Sequence, residues 1–210
     1  MGRTQVTKQA SSLNGSSQQA VRTLDRVLAR GQRESRLSSS YRAAGDVYDP
    51  NNVRLDVPLV MQLPELPTGC EATSVAMMLK YLGIPVTKLE IADKMPYDDF
   101  DPTRGFVGSP YDWAGVTIYP EAFEDLVRSY AGSYINLSGA TLEDLKLYLR
   151  ASRPVVCWIS NGEDLLHCVC VTGYDSEGFF VNDPLVGAAY MDNETFEELW
   201  EYLGNLALCY

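Results

Sequence analysis

The chain has 210 residues, 46% of them hydrophobic, enough for one packed domain and too few for two large ones. Its 17 basic and 28 acidic residues leave a net charge of −11, which argues against a nucleic-acid surface, and no run of eighteen apolar residues is present to span a membrane. With one histidine, His167, histidine metal clusters are excluded and any imidazole chemistry has to pass through that residue.

Charge divides the chain at about residue 45. Residues 1–45 hold eight basic residues and only Asp25 and Glu34 as acids, and contain no Trp, Phe or Ile, so this leader cannot bury a core of its own. Val21, Leu24, Val27 and Leu28 follow a helical period with Arg22, Arg26, Arg30 and Arg33 on the other faces. Residues 19–36 can therefore lie on an anionic membrane or dock on a partner; the alternative is a leader pairing with its own acidic domain. That domain, residues 46–210, carries 9 basic and 26 acidic residues.

Within the domain, Asp56–Val60 reads as a short strand, followed by a loop with Gln62, Pro64 and Pro67. Thr68-Gly69-Cys70-Glu71 has the pattern of a capping box, with Thr68 as cap and Glu71 three residues on. Ala72, Val75, Ala76, Leu79 and Leu82 continue at helical spacing until Gly83 and Pro85. A long loop, 96–120, precedes helices near 120–131 and 141–151, the second opening on Thr141 and Asp144. The last third then reads as sheet: 153–159, 167–174 and 179–182 are short apolar runs bounded by Gly, Asn and Asp. A helix near 194–203 and a strand at 206–210 close the chain. Helices followed by an antiparallel sheet predict an α+β fold.

Among the five cysteines, Cys157, Cys168, Cys170 and Cys209 lie in apolar strands or at the terminus and read as small core residues. Cys70, as second residue of a predicted helix, sits where free N–H groups and the helix dipole favour a thiolate. His167 opens a strand apolar on both faces. If 166–174 and 178–183 form a hairpin, Asp183 at its outer end can bond the far ring nitrogen and set the tautomer. Cysteine, histidine and aspartate together are the arrangement for nucleophilic acyl transfer, and Gln62, eight residues before Cys70, can supply a side-chain oxyanion donor.

The run VPLVMQLPELPTGCEATSVAMMLKYLG at 57–83 closely resembles the opening motif of the bacterial double-glycine (bacteriocin-processing) peptidase-like proteins. These form cysteine peptidase family thirty-nine among the papain-like cysteine peptidases, and the likeness is to the stand-alone branch. RGFVGSPYDWAGVTIYP at 104–120, RPVVCWIS at 153–160, HCVCVTGYD at 167–175 and VNDPL at 181–185 follow in the order that family shows, over about 55–205. The resemblance implies a papain-like fold with the nucleophile at the start of the first core helix. It further implies Cys70 as nucleophile, His167 as general base and acid, Asp183 as orienting carboxylate and Gln62 as oxyanion glutamine. Two departures stand out: LPELPTG lengthens the spacing from Gln62 to Cys70, and the chain has neither the membrane segments nor the ATPase motif of the transporter-fused relatives. The leader-peptide substrate of those relatives is therefore not carried over.

The expected activity is that of a cysteine peptidase cleaving peptide or amide bonds through a thioester acyl-enzyme. The alternatives are a papain-like acyltransferase or transpeptidase, and a catalytically silent peptide-binding module. Tyr97, Phe100, Phe106, Tyr111 and Trp113 of the long loop are expected either to wall a substrate cleft or to pack the loop onto the domain. No cofactor and no metal site are expected; Asp98, Asp99 and Asp101 read as solvated charges. The acidic domain favours a neutral or basic peptide or protein substrate. Five cysteines without a disulfide pattern and no apolar signal core point to a reducing, cytoplasmic setting; the alternative is export, with a signal lying upstream of residue 1.

Overall fold

A computed structural model describes residue 49, residues 51–161 and residues 166–210. The basic leader, with its expected helix at 19–36, and most of the loop before His167 lie outside the described residues. Short β1 (Val53–Arg54) precedes α1 (Cys70–Tyr81) and α2 (Lys88–Lys94). Then come β2 (Tyr97–Asp98), β3 (Phe106–Val107), a 3-10 turn at Pro120–Phe123, α3 (Glu124–Ala131), β4 (Ile135–Asn136) and α4 (Leu142–Arg150). The remaining elements are β5 (Val155–Ser160), β6 (Leu166–Tyr174), β7 (Gly178–Asp183), β8 (Gly187–Asp192), α5 (Asn193–Glu201) and β9 (Ala207–Cys209). The α+β expectation holds.

The main sheet has strand order β4-β9-β5-β6-β7-β8, with β1 added on β6, and its pairings are all antiparallel. Its central strands β5, β6 and β7 are buried along almost their whole length, which explains their unbroken apolar runs. α1 packs on β5 and β6, and every residue from Cys70 to Leu79 is buried. A helix buried all round needs no polar face, so its apolar spacing reports only part of its contacts. Two small polar side chains inside it are satisfied at once: Thr73 donates to Gly69 O at 2.8 Å and Ser74 to Cys168 O at 3.1 Å. The second bond ties the helix to the strand that carries His167.

α4 is started by Thr141 and Asp144 as a reciprocal capping box, as the sequence predicts. α5 lays Phe196 on Phe179, ring centroids 4.6 Å apart, and the Trp200 indole donates to Leu206 O at 3.0 Å.

Two expectations are corrected, and two elements are added. Asp56–Val60 is not a ladder strand; the pairing residues are Val53 and Arg54, against Tyr174 and Gly173. Beyond them Pro58 has no N–H to give, and the segment is held by Leu55 N–H on Thr172 O and by the Asn182 amide on Val57 O. β1 approaches so closely at Gly173 that a Cβ there would collide with Val53 O. The Thr68 capping box does not form: α1 begins at Cys70 behind Gly69, with no side-chain cap, and Cys70 is its first residue. α2, capped by the Thr87 hydroxyl on Glu90 N–H, and β8 have no counterpart in the sequence reading, being a seven-residue helix and a Gly-Ala-Ala strand with weak signals.

Candidate active site

β6 and β7 form the hairpin expected from sequence, and their outer ends place His167 beside Asp183. His167 Nε2 and Asp183 Oδ2 are 2.9 Å apart, with the ring 5% and the carboxylate 0% exposed. The other carboxylate oxygen accepts the N–H groups of Leu185 at 2.7 Å and Val186 at 3.2 Å, so the turn after β7 holds the group that orients the histidine. Burial works against a charged ring, but the Asp183 charge and hydrogen bond, with the Glu71 carboxyl beyond, more than offset it. The His167 pKa is raised above the ordinary histidine value.

Cys70 reaches the same place from the helix side. Its sulfur receives the backbone N–H of Cys168, the residue after His167. Its own S–H donates to Glu71 Oε2 at 3.3 Å. This differs from the thiolate expected at a helix start. Burial, foremost, then the charge and hydrogen bond of Glu71 and the charge of Asp183, push the thiol well above its ordinary range. The end of a helix dipole cannot outweigh both. The other four cysteines are core residues as expected: all are fully buried, and burial pushes each thiol up.

Gln62, 1% exposed, is brought to the Asp183 side by its main chain. Its N–H donates to Pro184 O at 2.8 Å, and its carbonyl accepts Lys88 Nζ at 2.7 Å. One hydrogen of the side-chain amide is bonded to Pro67 O at 2.9 Å, while its oxygen is buried without a hydrogen-bond partner.

The loop around 108–118 closes over the start of α1. Thr68, freed from capping, donates instead to Ser109 O at 3.1 Å and Asp112 O at 3.0 Å, and Tyr111 bonds Asp93 of α2. Gly115 packs so tightly here that a Cβ would run into Thr68 Oγ1 and Ser109 O. Tyr111 and Trp113 remain 44% and 42% exposed beside the residues leading into Cys70, and Leu59 and Met61 are also exposed before Gln62. The aromatics of the long loop thus divide: Phe106 is core, Phe100 points into solvent, and Tyr111 and Trp113 rim the site.

Sequence reasoning missed Glu71 and Thr117 as members of this site. Glu71 is buried, and its Oε1 accepts the Thr117 hydroxyl at 2.6 Å. A glutamate in the first turn of a helix reads as a cap, and nothing local shows that it turns inward.

Residues 54–208 match the model of the Peptidase C39-like family. The uncharacterized protein YvpB of Bacillus subtilis (strain 168) is 31% identical over 187 residues, covering 73% of this chain and 74% of that protein. A crystal structure of a C39-like peptidase from Bacillus anthracis superposes with a TM-score of 0.72 at 33% identity, over 76% of this chain and 96% of that one. A double-glycine motif protease from an AMS/PCAT transporter, solved with its leader peptide, superposes at a TM-score of 0.49 and 20% identity, over 75% of this chain and 94% of that one. The chain belongs to the Peptidase C39-like family.

Proposed function

We propose that the protein is a cysteine peptidase that cleaves peptide or amide bonds through a thioester acyl-enzyme, with Cys70 as nucleophile, His167 as general base and acid, and Asp183 as the carboxylate that orients the ring. The observation that carries this is the buried His167–Asp183 pair at 2.9 Å, set against the strand segment whose Cys168 N–H meets the Cys70 sulfur. With Nε2 engaged by Asp183, Nδ1 is the ring atom left for proton exchange. Asp183 makes that nitrogen a stronger base, which suits it to take a proton from a thiol whose own environment holds the proton tightly.

In this scheme the thiol turns to His167, its proton passes to Nδ1, and the sulfur attacks the substrate carbonyl carbon. The second amide hydrogen of Gln62 and the backbone N–H of Cys70, free at the start of α1, stabilise the oxyanion. The imidazolium then gives its proton to the leaving amine. Water, deprotonated by His167, cleaves the thioester and restores the thiol. Tyr111 and Trp113 support a substrate wall on one side of Cys70, and the excess of acidic residues in 46–210 favours neutral or basic peptides.

The test is incubation of the full chain with a complex peptide pool, with products read by mass spectrometry against Cys70→Ala. New termini that appear with the wild type and vanish in the variant are the expected result. An unchanged pool, or equal cleavage by Cys70→Ala, overturns the assignment.

A further inference from the structure

Glu71 is a carboxyl that the peptidase scheme leaves unused, although it touches the nucleophile. It is 1% exposed at the start of a helix, where a glutamate ordinarily reaches solvent. Two elements hold it in: α1 carries it and provides the Cys70 S–H at 3.3 Å, and the segment after β3 provides the Thr117 hydroxyl at 2.6 Å and the Ile118 N–H. Ile118 is itself pinned, its carbonyl accepting the buried Trp158 indole N–H at 2.9 Å. The titratable groups sharing this pocket are His167 and Cys168 on β6, Asp183 on β7 and Cys70 on α1. His167 is the one group among these that can carry positive charge.

The Cys70 proton therefore has two competing acceptors, the Glu71 carboxylate and the His167 ring, and in this structure it is bonded to Glu71. We propose that Glu71 is a positioning residue that latches the nucleophile in its resting state, holding Cys70 as a thiol turned to the carboxyl, with Thr117 fixing the carboxyl for that contact. Release consists of rotating the S–H from Glu71 Oε2 towards His167 Nδ1, after which the proton moves to the ring and leaves a thiolate–imidazolium pair. No other bond is made or broken. Burial raises the Glu71 carboxyl above its ordinary value, and the Thr117 and Cys70 hydrogen bonds act against that rise in favour of the carboxylate. Glu71 in turn raises the thiol by its charge and hydrogen bond, second only to burial. Because Thr117 lies just beyond the loop bearing Tyr111 and Trp113, the wall of the site and the state of its nucleophile share one hydrogen-bonded connection.

This inference rests on the peptidase reading of Cys70 and His167, and one experiment separates the two. Site-resolved iodoacetamide alkylation of Cys70 in the full chain is followed from pH 5 to 9 by peptide mass spectrometry for wild type, Glu71→Gln, Thr117→Val and His167→Ala. Gln keeps the shape of Glu71 and an acceptor for Thr117 while removing the charge. The Cys70 profile is expected to move to lower pH by about one unit in Glu71→Gln, close to tenfold faster at neutral pH. Thr117→Val, which deprives the carboxylate of a stabilising donor, is expected to shift it the same way by less. A Glu71→Gln profile equal to wild type, or slower, overturns the latch. If Glu71→Gln does not fold by circular dichroism, an unshifted Thr117→Val profile overturns it instead. A profile unaffected by His167→Ala removes the peptidase reading, whatever the Glu71 variants show.

Discussion

His167 and Asp183 are sixteen residues apart in sequence and 2.9 Å apart at the ends of two adjacent buried strands. The β6–β7 hairpin, whose bulge between Val171 and Gly173 puts the two residues on one face, together with the Leu185 and Val186 N–H groups on the free carboxylate oxygen, sets that distance. The pair consequently belongs to the sheet as much as to the site, and it should register in stability as well as in chemistry.

The His167 pKa is raised on folding, so its contribution to stability is fully present below the unfolded histidine value of about 6.5 and is lost as pH rises through the folded value. Asp183→Asn removes the carboxylate responsible. The expected loss is about 3 kcal/mol near pH 5.5, where a buried charged pair is broken, and smaller, about 1.5 kcal/mol, near pH 8.5, where the ring is neutral and only hydrogen bonds to the carboxylate are weakened. Urea unfolding at the two pH values measures the difference, and equal losses would contradict it.

Gln62 is assigned to the oxyanion, a charge that exists only along the reaction path. Gln62→Ala is expected to lower kcat by about a hundredfold while leaving KM within about twofold. Alkylation of Cys70 should be unchanged, because iodoacetamide needs no oxyanion donor. A slowed alkylation would instead mean that the variant disturbs the thiol.

Gly115 is where the aromatic loop meets Thr68, and the space for a side chain is already filled by Thr68 Oγ1 and Ser109 O. Gly115→Ala must lift the loop, because the Ser109 carbonyl is backbone and cannot swing aside. The expected outcome is a KM for peptide substrates raised at least about tenfold and faster proteolytic nicking within 108–116, both read against wild type.

Leu79 lies fully buried in α1, whereas Leu147 on α4 is largely exposed. Leu79→Ala is expected to cost about 2–5 kcal/mol through the lost transfer energy and the cavity left behind. Leu147→Ala should stay within about 0.5 kcal/mol. Denaturant midpoints of the two variants provide the comparison.

The amino-acid order alone determined the α+β class and the antiparallel β6–β7 hairpin, because a short turn makes adjacent strands pair. It also marked Cys70 at a helix start and the Thr141–Asp144 capping box of α4, both local patterns. The bulge between Val171 and Gly173, which shifts the register by one residue and so brings His167 and Asp183 onto one face, belongs to the tertiary structure. Only the tertiary structure decided where Glu71 and Thr68 point. Each has the pattern of a cap, and each is drawn instead to the loop after β3, Glu71 to Thr117 and Thr68 to Ser109 and Asp112. The state of the Cys70 thiol followed from the same packing: a helix N-terminus favours the anion locally, but burial and a neighbouring carboxylate act more strongly. Local pattern reports the groups a residue could satisfy, and long-range packing selects which of them it does.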